Sequence, residues 1–501
     1  MDTLGQLWMG FGQVLVPENL MFCFIGALIG TLIGVLPGVG PLVAIAVLLP
    51  ITYFLSPLAG LIMLSGIYYG AQYGGSTTAI LVRLPGENSS IVTCIDGYEM
   101  ARQGRAGAAL AVAALASLFA GCVATLILAI FSPFLIEVAL LFGPPEYCAL
   151  MVLGLVAAIV IAQGPIDKAL AMIVLGLLLG SIGTDVNSGV PRFTFGVPAL
   201  MDGIGFIPLA MGVFAMSEVI KSLEDPEARG QAMVAVKRLW PSADDFRRSW
   251  PATLRGTAIG SILGILPGGG AYLGSFVAYA VEKRVSSTPE RFGAGAVEGV
   301  AAPESANNAA AQTSFIPLLS LGIPGNAVIA LMAGAMMMQG IQPGPQVMTT
   351  RPELFWGLIA SMFVGNLMLV IINLPLIRVW VMLLKVPYRL LYPAVIAFAC
   401  IGTYTVGNTT FDIFVLVALA LLGYVFLKLE CEPAPLLLAF VVGPLLEENF
   451  RRAMHLSRGH LSVFVERPIS AGLLVAAVVL VAIVTLPGIR RSRERVFEGS
   501  S

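Results

Sequence analysis

Charge is scarce in this chain. Asp, Glu, Lys and Arg make up only 11% of 501 residues, while 57% are hydrophobic. An ordinary soluble domain is about 25% charged and about 45–50% apolar. A soluble chain this long would divide into about three domains, each needing a charged skin. The charges for those skins are absent, which excludes a soluble enzyme and a disordered chain. The net charge of −1 offers no field for a polyanion, so no nucleic-acid partner is expected. Histidine is nearly missing: His455 and His460 stand in one polar loop, without the thiolate or carboxylate pattern of a zinc site. The six cysteines form no CxxC pair and fall mostly in apolar stretches. They read as small buried hydrophobes rather than disulfides or metal ligands. No G-x-x-x-x-G-K-[ST] stretch occurs, so ATP hydrolysis through a Walker site is excluded. No H-E-x-x-H or G-x-S-x-G occurs either, so an intramembrane hydrolase lacks its machinery, and no cofactor is expected. No Lys or Arg precedes Glu18, so the positive start of a cleavable signal peptide is missing.

What is present is apolar sequence in long runs. They predict an all-α polytopic membrane protein with about ten to twelve spanning helices of roughly 20 residues each, plus broken or re-entrant hairpins. Spans are expected near 20–36, 57–73, 106–131, 146–162, 168–183, 203–221, 252–266, 354–374, 390–407, 411–428 and 469–486. Apolar pieces near 39–55, 74–86, 271–282, 306–323 and 327–341 are too short or too rich in Gly and Pro to span. The longest polar insertion, Lys221 to Arg255, and the tail with Arg490, Arg491, Arg493 and Arg495 are placed in the cytoplasm by the positive-inside rule. The charge-poor N-terminus fits the outside. The expected organisation is a first membrane repeat over 1–221, a charged linker over 222–251, a second repeat with C-terminal helices over 252–488, and a basic tail over 489–501.

The repeat shows in the glycines. Gly26, Gly30, Gly34, Leu36, Pro37, Gly38 and Gly40 recur 230 residues later as Gly256, Gly260, Gly264, Leu266, Pro267, Gly268 and Gly270. Ala71-Gln72 and Ala311-Gln312 follow at 240, Pro85-Gly86 and Pro324-Gly325 at 239, and Gln103-Gly104 and Gln339-Gly340 close each unit. Two related halves are expected. The second copy starts from the cytoplasmic insertion and the first from the outside, so the repeats are expected to be inverted, a common transporter plan.

Each copy ends a helix abruptly in Pro-Gly. Proline removes a backbone donor and glycine permits positive φ. Broken backbone in lipid is too costly unless it lines a cavity or is buried in protein. Freed carbonyls can hold a cation, and freed N–H groups an anion. Gly38, Gly40, Gly268, Gly269 and Gly270 are therefore candidate backbone ligands; the alternative is a tight helix contact through small residues. A second element, Tyr73-Gly74-Gly75-Ser76-Thr77-Thr78 leading to Arg83, Pro85 and Gly86, has its counterpart in Glu304, Asn307, Asn308, Thr313 and Ser314 leading to Pro324, Gly325 and Asn326. Hydroxyls and amides suit both carboxylate oxygens and Na⁺, and Glu304 with two adjacent Asn is hard to explain as packing in an apolar stretch. Arg83 could hold an anion in bidentate fashion or sit at the surface with Glu87. Asp185 and Arg192 are expected to pair and hold a loop. A Na⁺ site is expected at Gly38, Gly268, Thr78 and Ser314; the coupling cation would be Na⁺ or H⁺. A channel would need a continuous polar stripe, whereas the polarity here is confined to paired breaks.

These stretches resemble the large membrane subunit of the tripartite tricarboxylate transporter family. The resemblance rests on Gly34 to Pro41, Ile67 to Ser76, Pro85-Gly86 to Tyr98, Pro191 to Gly196, Glu298 to Ala309 and Leu321 to Gly325, and spans about residues 10–450. It implies a multi-pass permease of the bacterial inner membrane. Such a permease works with a periplasmic solute-binding protein and a small membrane subunit, and takes up citrate-like and other carboxylates on a cation gradient. Arg83 departs from the family's pattern, which more often has a polar amide there. The alternative is a channel or a carboxylate carrier that needs no binding protein.

Overall fold

The computed structural model describes residues 3–36, 40–139, 141–162, 165–185, 188–224, 239–266, 270–383 and 388–485. Helix dominates throughout. The first half holds α1 (Thr3–Val14), α2 (Pro17–Gly34), α3 (Pro41–Thr52), α4 (Pro57–Val82), a 3₁₀ turn at Asn88–Ser90, α5 (Thr93–Met100) and α6 (Ala106–Ala139). Then come α7 (Pro144–Ile161), α8 (Ile166–Gly180), α9 (Phe206–Ala210) and α10 (Ser217–Glu224). Between α8 and α9, β1 (Gly183–Thr184) and β2 (Pro191–Arg192) pair antiparallel, Gly183 opposite Arg192. The second half holds α11 (Ala243–Ile265), α12 (Gly270–Val285), α13 (Glu298–Thr313), α14 (Phe315–Leu321), α15 (Ala327–Met338), α16 (Gln346–Thr350) and α17 (Pro352–Asn373). It closes with α18 (Ile377–Leu383), α19 (Tyr388–Gly407), α20 (Thr410–Lys428), α21 (Ala434–Leu456), α22 (Val463–Glu466) and α23 (Pro468–Thr485).

Local chemistry explains many of the starts. Proline at the first turn, where its missing donor costs nothing, opens α2, α3, α4, α7 and α17. Side chains of Ser56, Ser242, Asn326 and Thr409 accept orphan N–H groups of α4, α11, α15 and α20.

Among the described residues, Pro17–Gly34, Thr93–Leu135, Pro352–Asn373 and Thr410–Lys428 are long and apolar enough to cross a bilayer, and five shorter apolar helices accompany them. Large apolar side chains such as Ile262, Ile371, Phe414, Val475 and Val478 point outward and are more than half exposed. A water-facing surface would not tolerate this many; a lipid-facing one requires them. The protein is an all-α polytopic membrane protein.

Glycine sets the closest helix contacts. A β-carbon on Gly26, Gly30 or Gly34 of α2 would lie 2.3, 2.5 and 2.1 Å from the carbonyl oxygens of Met63, Ile67 and Ala71 on α4. On α11, Gly256, Gly260 and Gly264 would meet the carbonyls of Ala302, Ala306 and Ala310 on α13 at 2.3, 2.2 and 2.4 Å. The contacted residues are 239 apart in each case. The packing register therefore places Gln72 opposite Ala311, one residue away from the Ala-Gln alignment visible in the sequence. Only a residue without a β-carbon permits such backbone approach.

Several boundaries differ from expectation. α4 is one continuous helix to Val82, so Gly74 and Gly75 do not interrupt it. α11 begins at Ala243, inside the stretch read as linker; residues 225–238 of that stretch and the basic tail lie outside the described residues. α21 was not foreseen, and it changes the Asp185 pairing. Arg451 on α21 grips Asp185 in bidentate fashion at 3.0 and 2.7 Å, while Arg192 turns to Glu447 at 2.8 Å and stays 3.9 Å from Asp185. Four charged groups, not two, hold the hairpin. All six cysteines are free.

Candidate functional site

The two long helices α4 and α13–α14 end alike. Arg83 (φ 57°) terminates α4 and Gly322 (φ 73°) terminates α14, both left-handed and 239 residues apart. A proline follows two residues later in each case, and the residue before a proline resists the helical region, so the chain cannot resume at once. Then Gly86 and Gly325 lead to Glu87, which precedes the 3₁₀ turn, and to Asn326, which caps α15 by accepting the Ile329 N–H at 2.9 Å.

Across these ends the halves trade hydrogen bonds. Asn307 on α13 donates to Glu87 Oε1 at 3.1 Å, and Asn326 donates to the Tyr68 hydroxyl on α4 at 3.4 Å. Asn307 is the 239-residue counterpart of Tyr68, as Asn326 is of Glu87. Farther out, Gln103 donates to the Ala294 carbonyl beyond α12 at 2.8 Å, and Gln339 to the Thr52 carbonyl at the end of α3 at 2.6 Å. If i of one half meets j of the other, and j of the first meets i of the second, the relation is that of an isologous two-fold contact.

A cavity of about 480 Å³ lies at this junction. Gly40, Pro41, Tyr68, Gln72, Pro85, Gly86 and Glu87 line it from the first half, and Gly270, Ala271, Tyr272 and Asn326 from the second. The starts of α3, α12 and α15 all open on it, each bringing free N–H groups and a partial positive charge. The charged side chains in its wall are Glu87, Glu218 and Glu432. Gln72 is fully buried, and neither its amide nitrogen nor its oxygen has a partner among the described residues. An orphaned amide of this kind normally has something to hold.

Behind the cavity wall sits Glu304, 1% exposed. Its two oxygens lie 2.5 Å from Ser76 Oγ of α4 and 2.5 Å from Thr93 Oγ1 of α5. The Ser76 hydroxyl is also 2.9 Å from the Gln72 carbonyl of its own helix.

The candidate residues fall into three groups. Gly40, Gly270, Pro85, Gly86 and Asn326 line the cavity, while Asn307 reaches it through Glu87. Ser76, Glu304 and Asn308 are buried just behind; Asn308 donates to Ser117 of α6 at 2.7 Å. Gly74, Gly75, Thr77, Thr313, Pro324 and Gly325 are buried in packing or bonded to their own helix. Thr78 donates to the Val35 carbonyl freed at the end of α2 at 2.9 Å, and Ser314 donates to the Ala311 carbonyl at 2.7 Å. Arg83 is exposed, its guanidinium 5.7 Å above the Tyr98 ring. Gly38, Gly268 and Gly269 lie outside the described residues. Tyr68, Gln72 and Glu87 escaped the sequence reading as ligands. The first two lie in an apolar helix with no break, and only the repeat marked Gln72.

The chain matches the tripartite tricarboxylate transporter TctA family over residues 20–438. It is 58% identical over 497 residues, 99% of both chains, to an uncharacterised 52.8 kDa protein of the TAR-I ttuC' 3' region of Agrobacterium vitis. It is 59% identical over 238 residues, 48% of this chain and 98% of the relative, to an uncharacterised protein of the TAR-II ttuC' 3' region of the same organism. No solved structure matches the chain. With apolar helices, paired breaks and a match across most of its length, this chain belongs to the tripartite tricarboxylate transporter TctA family.

Proposed function

We propose that this chain is the permease subunit of a binding-protein-dependent secondary transporter of the bacterial inner membrane. It imports tricarboxylates or related carboxylates with Na⁺ or H⁺. The observation that carries this reading is the cavity bordered by exchanged contacts of the two halves. An inverted repeat places its substrate at the interface of the halves, near the bilayer midplane. On this reading α2–α3 and α11–α12 are re-entrant hairpins that enter from opposite faces and meet at the cavity. The C-terminus and the 225–238 segment face the cytoplasm, in keeping with their basic residues.

No lysine or arginine lines the cavity among the described residues. An incoming carboxylate is countered by the N-termini of α3, α12 and α15, by amides such as Gln72 and Asn326, and by the co-transported cation. Glu87, Glu218 and Glu432 favour that cation. Thr78 and Ser314, with Gly38 and Gly268, would supply oxygens for Na⁺ beside the helix breaks. The partners are a periplasmic solute-binding protein and a small membrane subunit.

Uptake of radiolabelled succinate, malate and citrate into proteoliposomes, with and without a cognate binding protein, tests the reading. Gly268→Leu and the double change Asn307→Ala/Asn308→Ala are expected to abolish cation-dependent accumulation. Full uptake in both variants would sink the site; single-channel currents in place of saturable uptake would make the protein a channel.

A further inference from the structure

The hydroxyl of Ser76 has one proton and two acceptors within reach, Glu304 Oε2 at 2.5 Å and the Gln72 carbonyl at 2.9 Å. If Glu304 were an anion, Ser76 would have to satisfy it and leave an oxygen–oxygen contact at hydrogen-bonding distance with no proton between. A neutral carboxyl resolves the count. Glu304 then donates through Oε2 to Ser76, Ser76 donates to Gln72, and Thr93 donates to Glu304 Oε1. Every proton has one acceptor.

The surroundings agree. The titratable groups facing Glu304 are Glu87, Tyr73 and Cys94, none of them a cation. Arg83, which ends α4, is exposed, stacks on Tyr98 and faces Cys94 rather than Glu304; the other charged groups at the ends of the packed helices are committed elsewhere. Arg248 binds Glu298, Arg255 binds Glu282, Arg105 binds Asp245, and Asp96 takes Tyr279 and the N–H groups of Gly293, Gly295 and Ala296. Glu99 pairs with Arg102. A buried carboxylate with no cationic partner is strongly disfavoured. A hard metal ion is a poor substitute, because it demands roughly six oxygens and each carboxyl oxygen here meets a single hydroxyl.

From this proton count we propose that Glu304 is the proton-binding site of the transport cycle, neutral in the conformation described, so that the coupling ion is H⁺. The inference rests on the carrier reading above and names its ion. Glu304 stands on α13 while both partners belong to the first half, so the carboxyl links elements of both halves. Release of its proton to water on the cytoplasmic side leaves a carboxylate. The Ser76 hydroxyl then swings from Gln72 to Glu304, and the bond between halves changes sign of donor. Rebinding a proton from the outside restores the neutral group, so one proton moves inward per cycle with the substrate.

Two measurements on the full chain test this. Infrared difference spectroscopy in nanodiscs, over a pH titration, should show a buried neutral-carboxyl C=O band that shifts in D₂O and is lost in Glu304→Gln. Glu304→Gln keeps a donor for Ser76 and an acceptor for Thr93, so its thermal midpoint should stay at the wild-type value. In proteoliposomes that also hold the small membrane subunit and are supplied with the cognate binding protein, uptake of radiolabelled succinate, malate or citrate should collapse when the pH gradient is dissipated. In Glu304→Gln, uptake should run only to equilibrium and ignore the gradient. A band that survives in Glu304→Gln, or gradient-driven accumulation by that variant, overturns the proposal. A wild type that shows the band but no carboxylate uptake even with the small membrane subunit and the cognate binding protein supplied overturns the carrier reading, and the coupling role with it. Should Glu304→Gln prove unstable, Ser76→Ala serves: it removes the acceptor of the carboxyl proton and should displace the band, and an unmoved band overturns the assignment.

Discussion

Arg83 and Gly322 occupy the same point of two matching helix ends, and the backbone there is left-handed in both. A residue with a β-carbon loses roughly 1–2 kcal/mol in that region. The stack of Arg83 on Tyr98 at 5.7 Å returns about 0.5–1 kcal/mol. Replacing Arg83 with Gly therefore relieves strain about as much as it removes contact. Arg83→Gly is expected to keep uptake within about twofold and the thermal midpoint near wild type, as exposed substitutions do; a tenfold loss of uptake at unchanged stability would put the guanidinium on the substrate. Asn307 is different, because it donates to a carboxylate in the cavity wall. Removing that donor leaves Glu87 less satisfied, a loss of about 1–3 kcal/mol. Asn307→Ala should cut uptake more than Asn326→Ser, which keeps the α15 cap and gives up only a long bond to a neutral phenol at 3.4 Å. Initial-rate uptake of both variants in parallel checks the order. At this scale the sequence was most legible where polarity is rare: Ser76, Glu304 and Asn307 stand out in apolar surroundings. Tyr68 and Gln72 did not, because an aromatic and a lone amide in a helix look like packing until their neighbours are known.

The contacts of α2 with α4 and of α11 with α13 are made by bare backbone. A methyl group on Gly30 would come within 2.5 Å of the Ile67 carbonyl, and one on Gly260 within 2.2 Å of the Ala306 carbonyl. Carbonyls inside a helix cannot move aside, so overpacking of about 1–3 kcal/mol is expected. Gly472 on α23 meets nothing within 4 Å, and alanine there gains helix propensity of about 0.8–1 kcal/mol. Thermal unfolding in detergent should therefore fall for Gly30→Ala and Gly260→Ala and hold or rise for Gly472→Ala. The repeated glycine spacing was plain in the sequence, yet it could not say which glycines break a helix and which press against one. Gly26, Gly30 and Gly34 press. Apolar length located several helices within a few residues, as for α17, α20 and α23. It missed α21, whose apolar stretch from Ala434 stops at Pro444 and runs on into Glu447, Glu448, Arg451 and Arg452.

At the scale of the whole molecule, some bonds between the two halves come in an exchanged pair, while others, such as those of Ser76 and Thr93 to Glu304, have no counterpart. Gln103 and Gln339 each hold a carbonyl of the opposite half, Ala294 and Thr52, and share no partner. Gln103→Ala and Gln339→Ala should each destabilise by about 1 kcal/mol, and the double variant by the sum, as read from thermal unfolding. The offsets between the similar segments were legible in the sequence. The exchange was not, since it depends on which half each side chain reaches, and a constant offset looks the same for halves that never touch. The central pair carries a further consequence. Asn307 meets a carboxylate, whereas its counterpart contact, Asn326 to Tyr68, meets a phenol. The first bond is the shorter, 3.1 Å against 3.4 Å, and so the stronger. Were the halves to swap roles between the two ends of a cycle, the strong bond and the weak bond would change places, and the two ends would differ in energy. Identical halves would make a balanced gate; unlike ones would make a weighted door, resting toward one side.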